Sequence, residues 1–177
     1  MIIEDGTGTG AKAKVRPDNQ LDVHATVISF LEHLNEEEGK VWSVPFDALA
    51  PSGATKFFYL SYTGTDRLGI ARIRFASSVA GVFRFLKVTG TPTGGTVLVP
   101  VPANLGSPVL PTATILSGAS ITGLTDAGLL LPLYLQANVT YDLELPARWY
   151  LMPNTSLAIQ APGAATVNGN MIIFEED

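Results

Sequence analysis

The sequence predicts an all-β protein, an antiparallel β-sandwich, and three observations carry that prediction. Hydrophobic residues make up 46% of the 177 positions and charged residues only 15%, so the chain has ample material for a core. The apolar stretches are short, rich in β-branched and aromatic types, and separated by 17 Gly and 12 Pro, the punctuation of a sandwich or barrel. Between Ile70 and Phe75, finally, Ala71, Ile73 and Phe75 fall on one side and Arg72 and Arg74 on the other. Such period-two alternation marks a half-buried strand.

The N-terminal Met1 to Arg16, with Gly6, Gly8 and Gly10 alternating with threonines, reads as a flexible arm that orders against a neighbour, so residues 1–16 are divided from a sandwich domain at 17–177. After a turn at Pro17-Asp18-Asn19, residues 21–34 fit two periods, and the density of Val, Thr and Ile favours a strand over 21–30. Asn35 to Gly39 reads as a solvated acidic turn, and Lys40 to Phe46 as a strand in which Trp42 is a core or interface anchor. Asp47 to Thr55 is a loop.

Lys56 to Val88 is the centre of the prediction. Lys56 to Thr63 is a buried strand; Ile70 to Phe75 and Val82 to Val88 follow it across turns at Gly64-Thr65-Asp66 and Ser77 to Gly81. The three read as an antiparallel meander with an aromatic face. Thr89 to Gly95 is a Pro/Gly loop, and Thr96 to Val99 is a strand stopped by Pro100 and Pro102. Ala113 to Leu116 and Ser120 to Thr122 read as two short strands split at Gly118, and Leu129 to Leu135 as an apolar run either buried on both faces or held in a subunit contact. Val139 to Leu145, Leu157 to Gln160 and Asn170 to Glu175 complete nine or ten strands at sandwich spacing.

Chemistry is sparse. With a net charge of −5 and eleven scattered Lys and Arg, the chain has no basic stripe for nucleic acid. No apolar run reaches the roughly 18 residues of a membrane span, and the first residues lack the basic start and apolar middle of a signal peptide, so synthesis in a cytosol and no membrane partner are expected. The absence of cysteine excludes disulfides and thiolate metal sites. His24 and His33 lack a metal spacing, Gly6 to Gly10 lacks the Lys-Ser/Thr pair of a P-loop, and Glu36-Glu37-Glu38 projects in different directions. Asn138-Val139-Thr140 and Asn154-Thr155-Ser156 match the glycosylation acceptor pattern by chance. No catalytic, metal-binding or cofactor-binding residues are assigned, and no enzyme is expected.

The opening Ile3 to Gly8, with Ala13-Lys14-Val15 and Asn19-Gln20-Leu21, then Gly94-Gly95-Thr96, Pro102 to Ser107, Tyr150 to Ile159 and the final Ile172 to Glu176, resembles structural proteins of tailed-bacteriophage particles. Gly106 departs from the pattern, standing where relatives carry a second Asn. The resemblance implies a jelly-roll-like sandwich that trimerises and decorates the capsid exterior as a cement protein, bridging subunits of the major capsid protein after assembly in the host cytoplasm. Ile2, Ile3, Lys12, Lys14 and Val15 are then the expected capsid contact, and Trp42, Leu129, Leu131 and Leu133 the expected oligomer contact. A head-fibre or tail-fibre module that binds a host receptor or carbohydrate is the alternative. Its candidate loops, around Thr65-Asp66, Thr91 to Thr93 and Asn104, hold no Trp or Tyr.

Overall fold

A computed structural model of the chain describes residues 2–4, 12–15, 21–22 and 30–176. Three short strands, β1 (Ile2–Glu4), β2 (Lys12–Val15) and β3 (Leu21–Asp22), form an antiparallel sheet in the order β1-β2-β3. The backbone therefore doubles back on itself inside residues 1–16. Beyond them, helix α1 (Phe30–His33) continues into a wide π-type turn, Leu34–Glu38, closed where the backbone N–H groups of Gly39 and Lys40 both donate to the Leu34 carbonyl.

Two five-stranded antiparallel sheets follow. The front sheet has the order β11-β6-β13-β4-β9, built from β4 (Val41–Leu49), β6 (Arg67–Ser77), β9 (Val101–Pro102), β11 (Thr140–Leu151) and β13 (Val167–Glu176). The back sheet has the order β5-β12-β7-β10-β8, built from β5 (Lys56–Tyr62), β7 (Gly81–Thr93), β8 (Thr96–Val97), β10 (Ala113–Leu135) and β12 (Thr155–Gln160). The all-β sandwich is thus present. From β4 to β7 the chain changes sheet at every connection. It stays in the back sheet through β10 apart from the short excursion to β9, and then alternates again to the end.

The main core lies between the sheets, where Trp42, Phe46, Ile73, Phe75 and Met171 of the front meet Phe58, Leu60, Phe83, Phe85 and Ile159 of the back. Aromatic rings bridge the layers. Phe46 lies 5.3 Å from Phe58, and Phe75 lies 5.5 Å from Phe83 and 5.9 Å from Phe85, in tilted or edge-on pairs that favour ring quadrupoles. The outer face of the front sheet is covered in part by the helical segment, through Leu31 and Leu34 on Val41, Phe174 and Tyr150.

Several sequence expectations are corrected by this arrangement. The strands between Lys56 and Val88 exist, but they do not form a meander: β5 and β7 are in the back sheet and β6 faces them across the core. Their aromatic faces meet through space, since apolar sides of facing sheets satisfy one another as well as those of neighbours do. Of the strand expected over 21–30, Leu21–Asp22 is extended, 23–29 lie outside the described residues, and Phe30 is helical. The acidic turn at Asn35 to Glu38 is also helical, because Leu31 and Leu34 find an apolar seat at helical spacing. The loop expected at Thr89 to Gly95 is strand as far as Thr93.

The largest correction concerns β10. The two short strands and the apolar run are one continuous strand of 23 residues. Its first part pairs with β5, and its second part, after irregularities near Ser117 to Ile121 and Thr122 to Leu124, pairs with β7. Since β5, β12 and β7 are themselves neighbours, β10 closes the back sheet into a ring. The curl buries a second, smaller core of Tyr59, Leu86, Val88, Leu116, Ile121 and Ala158 on the outer side of that sheet. Lys56 to Asp126 at 2.7 Å, and the Ala119 carbonyl accepting from Thr55 Oγ1 at 3.0 Å and from the Ser52 N–H at 3.1 Å, fasten the curl.

Candidate interaction surface

The sandwich has two flanks, and they are finished differently. On the β4 side the segment 98–112 crosses from the back sheet to the front. It adds β9 against Trp42 and Ser43, accepts the Trp42 Nε1–H on the Val109 carbonyl at 2.9 Å, and donates the Thr112 N–H to Glu175 at 2.7 Å. Trp42 is fully buried (0% exposed). It is a core anchor of its own subunit, which removes it from the expected oligomer contact, because no part of its surface is left for a partner.

The opposite flank runs between the second half of β10 and β11. Among the described residues, 124–135 pair only with β7, and β11 only with β6, so each strand has one free rim here. Register fixes what each residue presents. Leu131 and Leu133 lie opposite Phe85 and Phe83, face the core and are half-buried, as are Tyr141, Leu143 and Trp149 across from them. Leu129 and Tyr134 lie opposite Leu86 and Val82 and are 55% and 61% exposed; Leu130, displaced by a bulge, is 46% exposed. The expected oligomer residues Leu129, Leu131 and Leu133 are therefore brought together on one apolar flank. Leu130, Tyr134 and Val139 extend it.

Both rims carry devices that discourage strand addition. β10 holds Pro132 and register irregularities at Asp126/Gly128 and Leu129/Leu131, and the pairing of β11 is interrupted between Glu144 and Trp149, the stretch that contains Pro146. Proline removes a ladder donor and a bulge twists the rim away. A contact here would rest on side chains.

Of the expected capsid-contact residues, Ile2 and Ile3 pair in register with Lys14 and Ala13, Glu4 pairs with Lys12, and Val15 pairs with Leu21. The five positions thus belong to one small sheet.

The exposed front face carries the described charge cluster. Register sets Arg72 opposite Glu144 and Arg74 opposite Asp142, yet Arg72 pairs diagonally with Asp142, its Nε donating at 2.6 Å and its Nη2 to the other carboxylate oxygen. The Arg72 hydrogen bonds hold the Asp142 carboxyl below the usual carboxylate range, and the Asp142 carboxylate raises the Arg72 guanidinium in turn. His33 Nε2 lies 3.7 Å from Glu38 on the surface, while His24 lies outside the described residues. Among the described residues, no three His, Asp or Glu side chains are grouped to hold a metal ion, and no helix is long and apolar enough to cross a membrane. Asn138 and Asn154, the two acceptor-pattern asparagines, both adopt left-handed backbone conformations (φ 60° and 61°) in the turns before β11 and β12. That conformation is one asparagine tolerates better than most residues.

Compared with known proteins, the chain matches no family model, no curated protein and no solved structure.

Proposed function

We propose that the protein is a non-enzymatic structural component of a tailed-bacteriophage particle, a homotrimeric cement protein that decorates the capsid exterior and bridges major capsid subunits. The observation that carries this reading is the unequal finish of the two flanks. The backbone rim of one is covered by the segment 98–112, which itself exposes Val99, Leu105 and Leu110, while the other presents Leu129, Leu130, Tyr134 and Val139 on uncovered, blunted rims. A flank of that kind suits burial against further subunits through side chains, the use to which exposed apolar patches are put. The strand order supports the finer fold: β11-β6-β13-β4 facing β5-β12-β7-β10 is the order of an eight-stranded jelly roll. A shell around packaged DNA is loaded outward, and a ligand that binds only the assembled lattice stabilises it by mass action.

Deleting residues 1–16 is the test. The truncated protein is expected to remain a folded trimer by light scattering and to lose co-sedimentation with empty heads. Unchanged co-sedimentation removes the segment from the mechanism. If the full chain fails to bind particles and adsorbs to host cells instead, the fibre-module reading replaces this one.

A further inference from the structure

Strand β7 contains one residue that contradicts its own alternation. Its inward-facing positions run Phe83, Phe85, Lys87, and register places Lys87 in one row with Leu157, Leu60 and Ile115, which are 2%, 0% and 1% exposed. A lysine in a row of core leucines is a conflict between local choice and global position, the kind that functional sites retain. The row ends in a groove of about 340 Å³ between the sheets, where Lys87 is exposed.

Leu151 and Leu157 form the buried floor of this groove, Trp149 is half-buried along it, and Leu130 and Met152 are its exposed walls, at 46% and 55%. Trp149 is held edge-on against Phe85 at 5.5 Å. Lys87 is the one charged residue in the lining, and it has no ion pair or hydrogen bond to another described residue. The two hydroxyls on the rim are already engaged: Thr155 donates to the Met152 carbonyl at 2.6 Å, and Ser156 to Ser61 at 3.0 Å. Opposite Lys87 on β10 stands Gly128, where even an added Cβ would meet nothing within 4 Å.

We propose that this groove binds a compact amphiphilic anion, its apolar body lying against Trp149, Leu151 and Met152 and its carboxylate on the Lys87 ammonium. Charge selects the head group, because a lone cation at the mouth of an apolar slot favours an anion over a neutral polar group. The rims select against an extended peptide, since Pro132, Pro146 and the adjacent irregularities deny it a backbone ladder. The volume lies in the range of roughly 300–1,000 Å³ found for small-molecule sites.

Decanoate and decanol, both below their aggregation concentrations, are the probes. Of the two tryptophans, Trp42 is buried and hydrogen-bonded, so a saturable fluorescence change reports Trp149. The wild type is expected to bind decanoate about tenfold or more tightly than decanol, the effect of one charge-assisted contact. Lys87→Met, which keeps the apolar stem, should reduce decanoate to the level of decanol. Met152→Glu, at an exposed wall, should weaken decanoate by repulsion without disturbing the fold. Equal binding of the two probes, undiminished decanoate binding by Lys87→Met, or amide shifts confined outside 128–131 and 149–157 would overturn the inference. Sedimentation of the same samples keeps this separate from the assembly reading: equal binding of the two probes by wild-type protein whose assembly state is intact overturns the groove alone.

Discussion

Trp42 and Arg72 each make a long-range side-chain contact, and their surroundings decide what each is worth. Trp42 fills the core and gives its indole N–H to the Val109 carbonyl, 67 positions away. Trp42→Phe should therefore lose both volume and a buried donor, costing about 1–3 kcal/mol in urea unfolding. The Arg72–Asp142 pair is exposed to solvent and salt, so its worth is read best as a pH effect. Because the folded Asp142 titrates below its unfolded value, the pair stabilises above the range where a free aspartate titrates. The gain is lost as pH falls through the lowered folded value. The gap in thermal midpoint between wild type and Asp142→Asn should close in acid and shrink in high salt; a gap that persists in acid would assign it to another cause. The alternation that placed Arg72 and Arg74 outside was plain in the sequence. The diagonal partner of Arg72 was not, since Asp142 lies 70 positions on, on a strand whose pairing with β6 no local pattern encodes.

At the scale of elements, strand positions were legible and strand partners were not. Period two locates β6 and β11, because each residue's side depends only on the local backbone, and short β-branched and aromatic runs locate β5, β7 and β13. Which sheet a strand joins depends on apolar faces meeting across about 10 Å, and no local pattern encodes that. Strand β10 shows the same limit. Gly118 reads as a break, yet it and Gly123 lie at the irregularities where one strand bends and serves two neighbours. Gly123 has φ +77°, and a Cβ there would collide with the Thr91 carbonyl oxygen. Gly123→Ala should cost about 1–3 kcal/mol through strain and clash. Hydrogen exchange should show the loss first in residues 113–125 and 89–93, with the front sheet still protected; uniform loss of protection would mean that the curl does not open as a unit.

For the whole molecule, the fold class followed from composition and spacing, while the apolar flank between β10 and β11 was only half visible. The run Leu129 to Leu135 advertised apolar surface, but which leucines face out depends on the bulge at Leu130. Trp149, Met152 and Lys87 join that flank only through the fold. Leu129→Lys combined with Leu130→Lys should leave the protomer's thermal midpoint nearly unchanged, because both side chains are already about half exposed. If the proposed trimer uses this flank, sedimentation velocity should then find protomers in place of trimers; a surviving trimer would move the contact elsewhere. One consequence reaches past any single contact. A polypeptide risks endless ribbon growth wherever a sheet still accepts another copy. The interruptions at Pro132 and Pro146 make such growth unproductive along this flank.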